Sequence, residues 1–262
     1  AYKYSEDQLK DFVEAIRDAS VAIDSKNPSY YLVSLNGGLP LFDILTIVDR
    51  NVDPDRAIYF PGSSKIQNSA QVMTRCFENF FLERQDLSDE QKRIVSLDEV
   101  VCGSSVERLF NAYNAASRKI ARANLGNSQI EREHIEVESA TLRNQFPLNV
   151  FGIKELRDKR VKMNIDYLKR IKNGEVMEFP TGKILTMDDP DYETVEFDHP
   201  NSSGFSGQGY FPKIRAIILR ESYLNLLRGA ARLVGVDPES INPVRARVSS
   251  DCAKYSQKPN YH

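Results

Sequence analysis

The residues best suited to chemistry lie in the run 94–105, IVSLDEVVCGSS. A buried-strand pattern ends in two adjacent carboxylates, Asp98 and Glu99. Two aliphatic residues follow, and Cys102, Gly103, Ser104 and Ser105 then form a small-residue turn opening a helix. Backbone N–H groups at a helix start, helped by serine hydroxyls, make a site for a phosphate group. Carboxylates at the end of the preceding strand accept hydrogen bonds from a sugar's vicinal hydroxyls. Acid pair and phosphate cradle together suit a ribose 5-phosphate. A second turn lies upstream, where Asn36, Gly37 and Gly38 interrupt LVSLNGGLPL, residues 32–41. Lys65 closes a Pro-Gly-Ser loop after the next apolar run, 57–60 (AIYF).

The elements that must hold these turns alternate. A helix is expected over about 5–23, where Ser5 and Gln8 have capping-box spacing and Leu9, Phe12, Val13, Ile16 and Ala19 recur on one face. Strands follow at 30–35, 57–60 and 94–97, separated by helical segments at 39–45 and around 72–81. A long amphipathic helix carries Val106, Leu109, Phe110, Tyr113 and Ile120, closed near Gly126. Strand–helix alternation of this kind predicts an α/β fold with a doubly wound, mostly parallel sheet, whose ligands sit at the carboxyl ends of the strands. Beyond residue 130 we expect a strand at 148–153, a basic helical stretch at 154–172, an acidic hairpin at 178–196 and an apolar helix at 214–234. The Gly/Ser-rich loop 200–210 reads as a connector or as a lid whose Phe205, Tyr210 and Phe211 stack on a base.

The run 94–105 resembles the phosphoribosyl-pyrophosphate-binding motif of type I phosphoribosyltransferases, and 32–41 is similar to that family's pyrophosphate loop. The resemblance spans about 30–126. It implies a phosphoribosyltransferase-like core at 25–155, preceded by the helix at 1–24 and followed by a helical and hairpin elaboration at 156–262. It further implies that Asp98 and Glu99 contact ribose hydroxyls, that Cys102, Gly103, Ser104 and Ser105 hold the 5-phosphate, and that Asn36, Gly37 and Gly38 face the pyrophosphate. The implied reaction is transfer of 5-phosphoribosyl from phosphoribosyl pyrophosphate to a nitrogenous base or related nucleophile, with Mg²⁺. No protein-only metal site is read in the sequence.

Two departures set this chain apart from the family pattern. Either the phosphate loop is one residue shorter or Gly103 replaces a hydroxyl. Asn36 stands where many members have a cation, which Lys65, Arg75 or Arg84 would have to supply. The departures favour a rival reading, a catalytically weakened nucleotide-sensing or assembly subunit, while the acid pair favours the enzyme; an effector in a toxin or phage-defence system is a further alternative. Cys102 at a helix start has the setting of a nucleophile, but no histidine lies near it in sequence, and a small packing residue is the preferred reading. His134, His199 and His262 are unpatterned.

Composition bounds the rest. The 262 residues carry 35 Lys+Arg against 37 Asp+Glu, so a broad basic nucleic-acid surface has no support, although 154–172 holds a local excess. The 3 cysteines show no C-x-x-C spacing, so neither a disulfide framework nor a zinc site is suggested. No run is long and apolar enough to span a membrane, and no secretory leader is read at residue 1. The expectation is a cytoplasmic protein that forms a homo-oligomer or part of a larger assembly.

Overall fold

The structure, a computed structural model, describes residues 4–35, 37–62, 69–84, 92–126, 132–156, 162–186, 195–197, 214–243, 245–255, 257 and 259. Asn36, Lys65, the acidic segment 187–194 and the loop 200–210 lie outside the described residues.

Helix α1 (Glu6–Asp24) starts where expected: the Ser5 hydroxyl accepts from the Gln8 N–H at 3.2 Å while Gln8 Oε1 accepts from the Ser5 N–H at 2.9 Å. Its apolar stripe from Leu9 to Ile23 is buried. Strands β1 (Tyr30–Ser34), β2 (Ala57–Phe60), β3 (Ile94–Val100), β4 (Leu148–Glu155) and β5 (Val176–Thr181) form one parallel sheet in the order β2-β1-β3-β4-β5. The central strands are near-continuous apolar runs because helices cover both faces. Right-handed crossovers sort the helices by the direction of each step. The step from β1 to β2 sends α2 (Gly38–Val48) to one face, where it packs with α1 and α7 (Glu221–Leu233). The steps toward β5 send α3 (Ser69–Arg84), α4 (Ser104–Asn124), α5 (Arg132–Gln145) and α6 (Ile165–Lys172) to the other, where α4 touches each of its three companions. Phe77, Phe81, Tyr113 and Phe146 interlock there, with ring centroids 5.4–6.2 Å apart in contacting pairs.

The fold is therefore a doubly wound α/β sheet, as expected, with four local corrections. β3 does not stop at Leu97; it continues through Asp98 and Glu99, which are paired with Gly152 and Ile153 of β4. The stretch 154–172 is not one helix: Lys154 and Glu155 end β4, held in register with Pro180 and Thr181 of β5, and Asn164 caps the start of α6. The described ends of the segment 178–196 do not pair with each other as a hairpin. β5 pairs in parallel with β4, while β6 (Val195–Phe197) pairs antiparallel with β7 (Ile214–Ile217). The expected helix at 214–234 accordingly begins as a strand, since the β-branched Ile214 and Ile217 suit an extended chain, and turns helical only at Glu221. The sheet thus draws its fifth strand from beyond the 25–155 span.

The C-terminal residues close the fold. Arg245 Nη1 donates to Asp43 Oδ1 of α2 at 2.9 Å, its Nη2 pairs with Asp43 Oδ2, and the fully buried Tyr223 of α7 bonds the same carboxylate. Helix α8 (Val248–Tyr255) lies along β2, one of the two edge strands, and supplies side chains where another strand would pair. Asp251 accepts from the Tyr59 N–H at 3.3 Å and Arg247 donates to the Ala57 carbonyl. This is one of the ways a sheet edge is protected from other chains.

Candidate functional site

β2 lies on one side of β1 and β3 on the other, so the loops leaving β1 and β3 diverge and open a crevice at the carboxyl end of the sheet. Each loop runs into a helix capped by glycine, with no side-chain hydrogen bond to the cap: Gly37 begins α2 and Gly103 begins α4. Two helix starts, each with N–H groups lacking an intrahelical acceptor and a partial positive charge, meet one crevice.

Local packing dictates Gly38, next to the cap of α2, and Gly103. A Cβ on Gly38 would lie 2.8 Å from Ser34 Oγ and 3.1 Å from the Leu97 carbonyl oxygen, so only glycine lets α2 approach β1 and β3 this closely. Its N–H donates to Ser34 Oγ at 3.1 Å. Gly103 has φ +82°, and a Cβ there would sit 2.2 Å from Cγ of Tyr167, whose ring is fully buried beneath the turn. The loop's carbonyls are held from behind. Lys154 Nζ donates to the Val101 carbonyl at 3.1 Å and the Asn164 N–H donates to the Cys102 carbonyl at 3.0 Å. In a trans peptide the C=O and the following N–H point in opposite directions, so the N–H groups of Cys102 and Gly103 are turned away from β4 and α6. Cys102 Sγ lies 3.2 Å from Ser104 Oγ. That hydroxyl, the Ser104 and Cys102 N–H groups and the nearby Lys154 charge hold the Cys102 thiol below its ordinary pKa.

The two carboxylates separate, because neighbouring residues of a strand point to opposite faces. Asp98 turns to the crevice. A Cβ on Gly37 would lie 3.4 Å from its Oδ1, and Ser105 bonds its carboxylate. Loss of hydration pushes the Asp98 carboxyl up to about 6, against the Ser105 hydroxyl, the Glu99 N–H and the charge of Arg108, all of which favour ionisation. Glu99 accepts instead from Thr186 Oγ1 at 2.7 Å. It thereby fastens the segment 181–186, which Asp11 and Glu155 also hold: Asp11 Oδ2 accepts from Thr181 Oγ1 at 2.8 Å and Glu155 Oε2 from the Ile184 N–H at 3.1 Å.

Asp98, Gly37, Cys102, Gly103, Ser104 and Ser105 are thus brought to one crevice, Gly38 is buried beneath it against Ser34 and Leu97, and Glu99 is directed to Thr186. Arg84 cannot supply the missing cation. Its guanidinium lies 4.9 Å over the ring of Tyr30, the first residue of β1, at the opposite end of the sheet, and it pairs with Glu83. Arg75 stands on α3. Sequence reading missed Arg108, which shares the first turns of α4 with the serines and was legible at helical spacing. It also missed Lys154 and Tyr167, for which the linear sequence holds no signal. Of the basic residues at 154–172, Lys154, Lys169 and Arg170 are engaged with Glu178, Asp166 and Glu107 at 3.5, 2.8 and 2.6 Å.

Among the described residues no group of three His, Cys, Asp or Glu side chains is arranged to hold a metal ion. Mg²⁺ commonly takes one or two carboxylates together with substrate phosphates, and Asp98 is a crevice carboxylate that fits such use. Among the described residues no helix is long and apolar enough to cross a membrane. Comparison with family models, curated proteins and solved structures returned no match.

Proposed function

We propose that the crevice binds phosphoribosyl pyrophosphate and transfers its 5-phosphoribosyl group to a nitrogenous base or related nucleophile. The observation that carries this reading is the meeting of two glycine-capped helix starts at the β1/β3 switch point with the Asp98 carboxylate between them. One helix start suits the 5-phosphate, the other the pyrophosphate, and the carboxylate a ribose hydroxyl. In the transfer, the bond from the anomeric carbon to the pyrophosphate oxygen breaks and a bond to nitrogen forms, with the nitrogen's proton released. Charge then accumulates on the leaving pyrophosphate, where the positive end of α2 opposes it, although Pro40 carries no N–H and Gly38 gives its own to Ser34 Oγ. Mg²⁺, held by the substrate's phosphates and Asp98, would add to that neutralisation. The ionised Asp98 lies on the ribose side and favours positive charge on the ring.

A second reading, a nucleotide sensor or assembly subunit without turnover, is favoured by the Glu99–Thr186 bond, which commits one of the two acids to the protein itself. Calorimetric titration with phosphoribosyl pyrophosphate, with and without Mg²⁺, against wild type and Asp98→Asn tests the pocket. Binding that needs Asp98 supports it, and no binding in wild type removes it. Pyrophosphate release over a set of bases then separates transferase from sensor.

A further inference from the structure

Lys154 is oddly placed for a basic residue in a charged segment. It ends β4 with only 17% of its side chain exposed, and its ammonium faces the inner side of the turn 101–103 rather than solvent. Nζ donates to the Val101 carbonyl at 3.1 Å and to Met163 Sδ at 2.9 Å, lies 3.5 Å from Glu178 Oε1, and sits 5.9 Å from the centre of the Tyr167 ring. Tyr167 OH donates to the same Glu178 oxygen at 2.7 Å. The charged and titratable groups around it are therefore Glu178 from β5, Tyr167 from α6, Asp98 from β3, whose charge reaches the Tyr167 hydroxyl, and the Cys102 thiol of the turn itself.

The position has two effects on the turn. Pulling the Val101 carbonyl toward β4 turns the Cys102 N–H the other way, so Lys154 sets the orientation of an amide that the turn offers to an anion. The ammonium also places a full positive charge one peptide unit behind that amide, in a partly dehydrated site where charges act further than in water.

Building on the phosphoribosyl reading, we propose that Lys154 is the positioning residue of the 5-phosphate cradle, selecting a dianionic phosphate through the Val101–Cys102 peptide without touching it. Glu178 tempers this by sharing the ammonium's charge, with Tyr167 holding Glu178 in place.

The test is binding of ribose 5-phosphate to wild type, Lys154→Met, Lys154→Arg and Glu178→Gln, with the ³¹P shift of the bound phosphate followed against pH. The bound phosphate of wild type should lose its second proton below the ordinary value of about 6. In Lys154→Met affinity at pH 7.5 should fall about tenfold and the titration midpoint rise by about one pH unit, the two being equivalent. Lys154→Arg should restore both, and Glu178→Gln should bind several-fold more tightly. Weaker binding in Lys154→Met with an unmoved midpoint overturns the assignment, since a purely structural prop would act that way. Should Lys154→Met not fold, a Glu178→Gln variant that binds no tighter and titrates as wild type overturns it equally. Wild-type protein that fails to bind ribose 5-phosphate removes the phosphoribosyl reading and this assignment together. Binding by wild type with an unchanged Lys154→Met variant removes this assignment alone.

Discussion

Replacing Asp98 by Asn should make the unliganded protein more stable while weakening its ligand binding. A carboxyl that titrates at about 6 in the folded chain and at 3.8 in a solvated one holds its proton more tightly when folded. Its contribution to stability is therefore greatest below 3.8, declines as pH rises through the interval to about 6, and stays low above it. At 1.36 kcal/mol per pH unit the interval amounts to about 3 kcal/mol at neutral pH, and losing the Ser105 and Glu99 N–H bonds to the carboxylate reduces the gain in the variant to about 2. For a chain of this size that is about 4–8 °C in melting temperature. The assay is thermal unfolding of wild type and Asp98→Asn at intervals from pH 4 to 8, without ligand. The melting curves should separate above pH 6 and converge toward pH 4. A variant that is less stable at pH 7.5, or one whose advantage does not change with pH, would refute the reasoning that burial costs the carboxylate its hydration. Stabilisation accompanied by loss of phosphoribosyl pyrophosphate affinity would mark Asp98 as a residue retained at the expense of the fold.

Three further outcomes follow from the geometry. Gly103→Ala drives a methyl into the Tyr167 ring at a left-handed φ and should cost about 2–4 kcal/mol by urea denaturation, with part of the loss recovered when Tyr167 is also truncated. Cys102 should be the first of the three thiols to react with iodoacetamide in the native protein, because Cys76 and Cys252 are buried. Mass spectrometry should then find the reaction slowed by ribose 5-phosphate, and unaltered labelling under saturating ligand would argue against a phosphate at the turn. Arg245→Met leaves Asp43 buried without its ion-pair partner and should cost about 3–5 kcal/mol, whereas the double variant with Asp43→Leu should regain most of it.

What the sequence made legible was what local patterns encode. The Ser5–Gln8 box, the first two apolar strands and the glycines that open α2 and α4 appear where read, because capping geometry and buried parallel strands leave short-range signatures. The acid pair is instructive in the other direction. Asp98 and Glu99 adjoin in sequence and suggest joint action, yet strand alternation sends one to the crevice and the other to Thr186. The continuation of β3 through them depends on Gly152 and Ile153 of β4, more than fifty residues away. Helix α5 went unread because only Ile135, Ser139 and Leu142 of it are buried, a stripe too narrow to stand out from a polar background. Lys154 was hidden because its neighbours are charged: a basic run reads as a solvated helix, and only the pairing of β4 with β3 and β5 reveals a strand that turns this lysine inward.

The seal on β2 constrains the order in which the chain can mature. Asp251 and Arg247 meet the backbone of residues 57–59 across about 190 positions of sequence, and Arg245 meets Asp43 across 202. During synthesis the first three strands can emerge and pair long before those partners exist, leaving a bare strand edge and a carboxylate buried without its cation. A nascent chain that pairs these strands before residues 245–255 are made leaves the β2 edge open to strand exchange with neighbours on the same message. Addition of residues 245–255 is then a maturation step: it covers the β2 edge of the sheet with side chains from the far end of the fold.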